Sequence, residues 1–569
     1  MNRRELLRNT ARTALLATAA IGTKEAEAQT PAPGTDALTI EDLAVADKVE
    51  GRSYSEPQRK LMLSVMTRTR AQIKAVRSSE LPPTMEPAFH FDPRLAGVRM
   101  PTGKSGAQLS KGETLAYSGF PESLAFASLV DLSRLIRDQK ITSTELTKMY
   151  LDRLKKFSPM LLNVVTLTEE LALTQAARAD KEIAAGKYRG PLHGIPWGAK
   201  DLLATKGIRT TYGAKPYENQ VFDYDAEVVK RLEAAGAVLV AKLSMGELAQ
   251  GDVWYGGMTR NPWKPTTGSS GSSAGPGSAT AAGLVGFSIG TETLGSIVSP
   301  SVVNGVTGLR PTYGRVPRTG AMALCWTMDK IGPMCRSVED CALVLSAIFG
   351  PDGQDASVTD TPFQWRPASP LKRLRVGIDK EAFAAVEKDE KRAAIYKEVL
   401  KVLDGLGITL KPISLPKSTP AYASLASIFI DAESAAAFQK LNSSGELDLL
   451  ARQTAGAWPT TFRVGSTIPA SDYILAMRLR RQLQLEMAES LGDLDCFVTV
   501  PFLSQNLVYT NLTGHPTLVT RCGMSDGLPV MVEFVGQIYH EESILRLGLA
   551  YEKATAWHTQ WPDLKLEKV

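Results

Sequence analysis

Residues 268–278 read GSSGSSAGPGS, and residues 290–297 read GTETLGSI. Glycine and serine dominate both stretches, so the backbone there can adopt unusual dihedral angles and approach another group closely. A flexible linker is the simple alternative. However, the first stretch is followed at once by residues 279–284 (ATAAGL) and then by the ordered-looking residues 286–291 (GFSIGT). We therefore predict a glycine-lined crevice at the centre of the chain.

The sequence on both sides of this centre alternates predicted helices and strands. Residues 225–235 predict a helix, Gly236 suits its left-handed C-terminal cap, and residues 237–241 (AVLVA) predict a buried strand. The TSTE pattern at 142–145 predicts a capping box, in which a hydroxyl and a carboxylate satisfy the first free amides of a helix. Further elements of the same kind are strands at 496–500 and 530–535 and a closing helix at 541–553. This succession is typical of an α/β fold.

Upstream of the crevice, residues 194–201 read GIPWGAKD, and Lys200 in this segment is a candidate base for a serine nucleophile. A serine hydroxyl is a poor nucleophile until a neighbouring base takes its proton. A lysine can do so only when neutral, and lowering its pKa from about 10.4 to about 8 requires roughly 3 kcal/mol. The apolar residues before Lys200 are compatible with the burial that would supply this free energy. An exposed Lys200 would instead be a surface ion-pair residue.

The order of these three segments resembles the amidase-signature family, and within it the bacterial exported amidases. Two downstream pieces, NLTG at 511–514 and DGLP at 526–529, add to the likeness, which runs from about residue 123 to the C-terminus. The resemblance implies one α/β catalytic domain, residues 116–569, with a central mixed β-sheet sandwiched by α-helices. It also implies an amidase that cleaves a carboxamide bond of a small-molecule substrate without a cofactor or metal.

The resemblance assigns a role to three side chains. Ser296 is the nucleophile, Lys200 is the base, and Ser272, whose peptide bond is cis in the family, carries the proton between them. The implied reaction is acyl transfer to water: the nucleophile attacks, an acyl-enzyme forms, the amine departs and water releases the acid. Four neighbours are expected to support these groups: Asp201, Gly271, Ser273 and Thr291.

The turn that precedes Ser296 predicts an oxyanion hole made of main-chain N–H groups. Its donors would come from Thr293, Leu294, Gly295 and Ser296, and one such donor is worth about 3–4 kcal/mol in the transition state. The family commonly has Asp-x-Gly-Gly-Ser-Ile-Arg here, whereas this chain has Leu294 in place of a glycine and Val298 in place of the arginine. The leucine adds bulk beside the donors and the valine removes a positive charge. We therefore expect a pocket less suited to anionic substrates.

Three other functions stay open at this stage. Residues 271–275 (GSSAG) satisfy G-x-S-x-G, which would make Ser273 the nucleophile of a serine esterase. Its base would be one of three histidines: His515, His540 or His558. That motif needs a hydrophobic strand directly before it, and residues 264–268 (KPTTG) are turn-like instead. The second alternative is the A subunit of a tRNA-dependent amidotransferase, and the third is a protein whose Gly/Ser loop binds an anion through backbone amides.

The N-terminal residues predict an export signal. A twin-arginine pair precedes a modestly apolar stretch and the small-residue site AEA at 26–28, which is the order found in a Tat signal peptide, here residues 1–28. The mature protein would then be periplasmic or secreted, which argues against the amidotransferase because that chemistry belongs in the cytoplasm. Residues 29–115 predict an extension that wraps the main domain, with a linker over 29–53 and a helix over 56–77.

Composition argues against several partners. The chain has 569 residues, 44% of them hydrophobic, and a net charge of +5 from 65 basic and 60 acidic side chains. Beyond the N-terminus it has no dense basic block, so we expect no nucleic-acid partner. Its five cysteines and five histidines lack metal-binding spacings, and no segment approaches the ~20 apolar residues of a membrane span. The sequence leaves a homodimer open.

Overall fold

The computed structural model describes these parts of the chain: residues 37–49, 51, 53–77, 90–97 and 100–564. Internal contacts divide the chain into two units, residues 1–81 and residues 82–569. The predicted export signal, residues 1–28, lies outside the described residues. Within the described ranges, no helix has the length and apolar character needed to cross a membrane.

In its described residues, the first unit contains two helices, α1 (Ile40–Val49) and α2 (Glu56–Arg77). An ion pair joins them, with Arg59 Nε 2.8 Å from Asp47 Oδ2. The bounds of α2 match the prediction, but the expected linker is wrong where α1 forms. Thr39 caps α1, since its Oγ1 accepts a hydrogen bond at 3.1 Å from the amide three residues further on. The proline- and threonine-rich composition around α1 concealed this cap.

The second unit is built from strands and helices that alternate along most of its length. Its strands are β1 (Gly106–Ala107), β2 (Val164–Leu167), β3 (Pro196–Lys200), β4 (Val238–Leu243), β5 (Val253–Trp254), β6 (Gly257–Met258), β7 (Arg260–Asn261), β8 (Lys264–Gly268), β9 (Phe287–Glu292), β10 (Thr307–Arg310), β11 (Lys330–Cys335), β12 (Gln364–Trp365), β13 (Val376–Asp379), β14 (Leu410–Ile413), β15 (Cys496–Thr499), β16 (Thr517–Ser525) and β17 (Leu528–Gly536). Its helices are α3 (Leu129–Arg137), α4 (Ser143–Leu161), α5 (Glu169–Ala184), α6 (Glu227–Ala234), α7 (Ala274–Ala281), α8 (Val298–Asn304), α9 (Val338–Ile348), α10 (Lys380–Val386), α11 (Glu390–Gly405), α12 (Pro420–Ala437), α13 (Gln439–Ser444), α14 (Trp458–Gly465), α15 (Ala470–Leu491), α16 (Asn506–Thr513) and α17 (Glu541–Ala554).

Eleven of the described strands form one mixed sheet in the order β14-β13-β15-β17-β16-β10-β11-β9-β3-β4-β2. At one wing β3 runs parallel to both β4 and β9, and at the other β13 runs parallel to β14 and β15. Antiparallel pairs join the two wings. Every residue of β4 and β15 is buried, as in strands covered on both faces. The predicted α/β fold, a central mixed sheet flanked by helices, is thus confirmed.

Local sequence signals place several element ends correctly. Thr142 accepts a hydrogen bond from the Glu145 amide while the Glu145 carboxylate binds the Thr142 amide, so the predicted capping box begins α4. Gly236, two residues after α6, has a φ of 84°, as a left-handed cap requires. The expectation that residues 264–268 are turn-like is wrong, because they form β8, a largely exposed strand paired with β7. A short polar strand of this kind has no hydrophobic alternation to reveal it.

Residues 82–115 group with the unit that contains the sheet, although the predicted catalytic domain begins at 116. Within this stretch β1 pairs in parallel with β12. Further upstream, the guanidinium carbon of Arg480 lies 3.5 Å from the ring centroid of Phe91. The predicted extension over 29–115 therefore spans both units, and its last part packs within the second.

Candidate active site

Lys200 ends β3 and is fully buried beside three hydroxyl groups. Its Nζ donates to Ser272 Oγ at 2.8 Å, to Thr291 Oγ1 at 2.8 Å and to Ser273 Oγ at 3.1 Å. Because β3 and β9 are parallel neighbours, the end of β9 brings Thr291 next to the lysine. The fold thus gathers Lys200 and three of the predicted residues around one amine.

The environment of Lys200 favours its neutral form. Burial lowers the pKa of Lys200 to about 7, because the ammonium loses its hydration in the protein interior. The carboxylates of Asp329 and Glu292 oppose this shift. An amine with such a pKa is uncharged in a large fraction of molecules at neutral pH, where it can accept a proton.

The loop before α7 holds Ser272 against the lysine. The Gly271–Ser272 peptide bond is cis, as the family resemblance implies. Gly246 N donates to Ser272 O at 3.2 Å. A Cβ atom on Gly271 would lie 1.8 Å from Gly251 O, so only glycine allows these two backbone segments to approach so closely.

Ser273 is fully buried and ties this loop to β9. Its Oγ accepts from Thr291 N and donates to Thr291 O, both at 3.1 Å, and its own N–H donates to Ser296 O at 3.1 Å. In the part of the chain that the structure describes, no histidine is hydrogen-bonded to Ser273. His515 instead lies 2.7 Å from Thr513 Oγ1. Ser273 thus supports the backbone around the site, and these contacts argue against its being the nucleophile of a G-x-S-x-G esterase.

Ser296 lies in the turn between β9 and α8 and is 8% exposed. Its carbonyl oxygen is fixed by Ser273, but no described residue forms a hydrogen bond with its hydroxyl. The hydroxyls of Ser272 and Ser296 are likewise not hydrogen-bonded to each other. The structure therefore contains the hydrogen bond needed for proton transfer from Ser272 to Lys200. The preceding transfer, from Ser296 to Ser272, stays a prediction.

The turn over residues 293–296 keeps its backbone donors unused. Among the described residues, none accepts a hydrogen bond from the amides of 293–296, whereas the next two amides, of Ile297 and Val298, donate to Glu292 Oε2 at 2.8 and 2.9 Å. Gly295 has a φ of 85°, a conformation that favours glycine. Consecutive amides without an internal acceptor, next to a serine, are what an oxyanion hole requires.

Glu292 anchors this turn from within the core. Its Oε1 accepts from Arg310 Nη1 and from Asn511 Nδ2, both at 2.8 Å. Although burial alone would raise the pKa of Glu292, Arg310 and Lys330 hold it at about 2. Glu292 is therefore a carboxylate at any working pH. No sequence pattern marked this anchoring role, and the NLTG piece that contains Asn511 was the available clue.

The Asp201 carboxylate binds Thr211 and Lys242, which lies on the neighbouring strand, and does not bind the Lys200 amine. Its Oδ2 accepts from Thr211 N at 2.8 Å, and its Oδ1 lies 3.2 Å from the Nζ of Lys242 on β4. The Asp201 carboxylate thus binds nearby backbone through Thr211. Its ion-pair partner Lys242 was missed, because a lysine inside an otherwise apolar strand has no distinguishing pattern.

A third buried lysine, Lys330, contacts the turn that precedes Ser296. Its Nζ donates to Thr293 O at 3.4 Å and to Met328 O. Asp329 Oδ1 accepts from Thr293 Oγ1 at 2.6 Å. Burial lowers the pKa of Lys330 to about 7. Sequence reasoning missed Asp329 and Lys330, because their neighbourhood has no recognisable motif.

The two departures from the family motif have different surroundings. Leu294 packs against an apolar cluster that includes Phe429 and Tyr509, and a Cβ on Gly295 would lie 3.3 Å from Leu507. Val298 is fully buried, so no charge enters that dry position. Across the described ranges, no group of three or more His, Cys, Asp or Glu side chains could hold a metal ion.

Comparisons with known proteins agree with this fold. The chain matches the Amidase family model over residues 145–500. It is 36% identical over 483 residues to the A subunit of a glutamyl-tRNA(Gln) amidotransferase from Roseiflexus sp. (strain RS-1), and the match covers 77% of this chain and 99% of that protein. Among solved structures, it resembles the peptide amidase from Stenotrophomonas maltophilia, with 29% identity, 78% and 100% coverage and a TM-score of 0.70. An amidase family protein from Bacillus anthracis shares 26% identity, with 78% and 94% coverage and a TM-score of 0.70.

The fold and these matches define an enzyme that acts on carbon–nitrogen bonds through an amidase-signature domain. The chain belongs to the amidase family.

Proposed function

We propose that this protein cleaves carboxamides with Ser296 as nucleophile, Ser272 as proton bridge and Lys200 as base. The observation that carries the proposal is the buried Lys200 amine, which lies 2.8 Å from Ser272 Oγ and has a pKa of about 7. The described acceptors of Lys200 Nζ are three hydroxyls and the carbonyl of Thr291, with no carboxylate among them. Burying a lysine in this way costs folding free energy, and strongly perturbed groups of this kind concentrate at catalytic sites.

In the proposed reaction Ser296 Oγ attacks the carbonyl carbon while its proton passes through Ser272 to neutral Lys200. The oxygen of the tetrahedral intermediate accepts N–H hydrogen bonds from the turn 293–296. Lys200 then returns the proton to the leaving nitrogen, the C–N bond breaks, and an acyl ester remains on Ser296. Water, deprotonated by the same base, hydrolyses that ester. Glu292 keeps its charge throughout and holds the turn in place.

The proposed substrate is a small uncharged amide. The apolar packing of Leu294 and the buried, uncharged Val298 support discrimination against anionic substrates. A panel of aryl, alkyl, peptide and carbamate amides, assayed with the mature protein and with Ser296→Ala, tests the proposal. We expect at least one class to be hydrolysed about 10³-fold faster by the wild type than by the variant. Equal turnover by the two proteins would refute it.

A second candidate function is that of an amidotransferase component. The sequence relatives favour it, because identity to the A subunit of the amidotransferase is 36% against 29% to the peptide amidase. The same three residues would then release ammonia from a carboxamide for use by a partner protein. Purification of the native protein from its own cells separates the two candidates. Full amidase activity of the isolated chain favours the first, and activity that requires a co-purified partner favours the second.

We further propose that residues 1–28 direct export by the twin-arginine pathway, on the strength of the signal order in the sequence. Mass spectrometry of the periplasmic protein should find an N-terminus near Gln29. A double variant, Arg3→Lys with Arg4→Lys, should keep the protein in the cytoplasm. Export that survives this double substitution would contradict the proposal.

A further inference from the structure

We infer that Lys330 is a positioning residue of the oxyanion hole, which acts by holding the peptide group between Thr293 and Leu294. The inference rests on the proposed function, since it assigns a role in the same reaction. The described contacts of Lys330 involve neither catalytic serine, so any effect on catalysis must pass through the backbone.

The orientation of one peptide group carries the argument. Lys330 Nζ donates to Thr293 O at 3.4 Å. The Thr293 carbonyl and the Leu294 N–H belong to the same trans peptide plane, in which C=O and N–H point in opposite directions. A carbonyl held toward Lys330 therefore turns the Leu294 N–H away from Lys330. No described residue accepts a hydrogen bond from that N–H, so it is available to a substrate oxygen.

The segment that contains Lys330 holds Thr293 at a second point. Thr293 Oγ1 donates to Asp329 Oδ1 at 2.6 Å. The other oxygen of Asp329 accepts from Leu324 N at 2.8 Å and from Cys325 N at 2.9 Å, which fixes the carboxylate to its own loop. One short segment thus restrains both the side chain and the carbonyl of Thr293. Preorganised donors need this kind of restraint, because a misplaced donor loses most of its effect.

The charges around Lys330 explain how a lysine is tolerated there. Lys330 is 3% exposed and pairs directly with Glu292 in the ladder between β9 and β11. Glu292 and Asp329 favour its ammonium form, whereas Arg310 and Arg480 oppose it. An amine donates N–H hydrogen bonds in both charge states. The hydrogen bond to the turn therefore does not require Lys330 to be charged.

Two substitutions test the inference. Lys330→Met removes the donor at similar volume, and Lys330→Gln keeps a polar side chain that is one atom too short for a contact already at 3.4 Å. For p-nitrobutyranilide we expect kcat to fall about ten- to a hundredfold in both variants, with KM within about twofold. Affinity for an alkyl trifluoromethyl ketone, whose adduct with serine carries an oxyanion, should fall by a similar factor. A purely structural lysine would not separate kcat from KM in this way.

The controls make each outcome decisive. Lys391→Met removes an exposed lysine and should match the wild type in every assay. A Lys330 variant with an unchanged melting temperature, wild-type kcat and wild-type ketone affinity would overturn the inference, and so would a rise in KM alone. If Lys330→Met does not fold, Lys330→Gln decides. Ser296→Ala keeps the two proposals apart: activity in that variant refutes the proposed function, whereas inactivity there with normal Lys330 variants refutes only this inference.

Discussion

The reactivity of Ser296 should follow the protonation of Lys200. Burial lowers the pKa of Lys200 to about 7, and only the neutral amine can take a proton. At about pH 5, two units lower, roughly 1% of the lysine is neutral. Covalent labelling of Ser296 by a fluorophosphonate should therefore be about a hundredfold slower at about pH 5 than at about pH 9.

The assay is the second-order rate constant of labelling, measured by mass spectrometry from about pH 5 to about pH 9.5 on the mature protein. The rate should rise about tenfold per pH unit below the midpoint and level off above it. With an ordinary lysine pKa of about 10.4 the rate would instead climb through the whole range. A midpoint above about pH 9, or no pH dependence at all, would refute the reasoning that burial makes Lys200 a base.

The substitution Asp329→Asn provides a control, because the direction in which it should shift the pH midpoint is known. The Asp329 carboxylate raises the pKa of Lys200 against the effect of burial, so its loss should move the midpoint to lower pH. Asparagine keeps one acceptor oxygen, so it loses either the hydrogen bond from Thr293 or those from Leu324 and Cys325. The readout is therefore the pH of the midpoint and not the absolute rate. Lys391→Met, at an exposed ion pair with Asp526, should leave the midpoint unchanged. A midpoint that moves to higher pH in Asp329→Asn would contradict the electrostatic account.

Other substitutions test other parts of the site. Ser296→Ala should abolish fluorophosphonate labelling, whereas Ser273→Ala should leave Ser296 labelled more slowly; a label found on Ser273 would support the esterase instead. Glu292→Gln should destabilise the fold by about 3–5 kcal/mol in urea unfolding, because it leaves Arg310 buried without its carboxylate. Since the folded pKa of Glu292 is depressed to about 2, its contribution to stability should be complete above about pH 5 and lost as the pH falls toward 2. Gly271→Ala should lower kcat at least about a hundredfold, because its Cβ would lie 1.8 Å from a backbone oxygen; near-normal kcat would exclude that close approach.

The features that could be predicted are those whose signals are local in sequence. The capping box at 142–145, the glycine after α6 and the apolar run of β4 each depend on a few adjacent residues, and each is present in the structure. The predictions of a linker over 29–53 and of a turn at 264–268 were wrong because the signals for the elements that form there are not visible in the local sequence pattern. These elements form through a cap or a pairing that composition and periodicity do not report.

The supporting charges of the site could not be predicted, because their partners are distant along the chain. Glu292 is bound by Arg310 and Asn511, and Lys330 reaches Thr293 only because β9 and β11 are antiparallel neighbours. Nothing in the neighbouring residues of any of these side chains reveals the partner. Sheet order brings them together.

The sequence alone establishes that this protein is an α/β chain with a glycine- and serine-rich centre and one candidate lysine base. The tertiary structure was needed to decide that Lys200 is buried and that its amine contacts Ser272, Ser273 and Thr291. It was also needed to decide that Asp329 and Lys330 bind the start of the turn before Ser296, while Glu292 binds the amides just after that serine. The physical reason is that hydrophobic periodicity and caps act within one element, whereas a pKa and the direction of a peptide group depend on burial and on charges contributed by other strands.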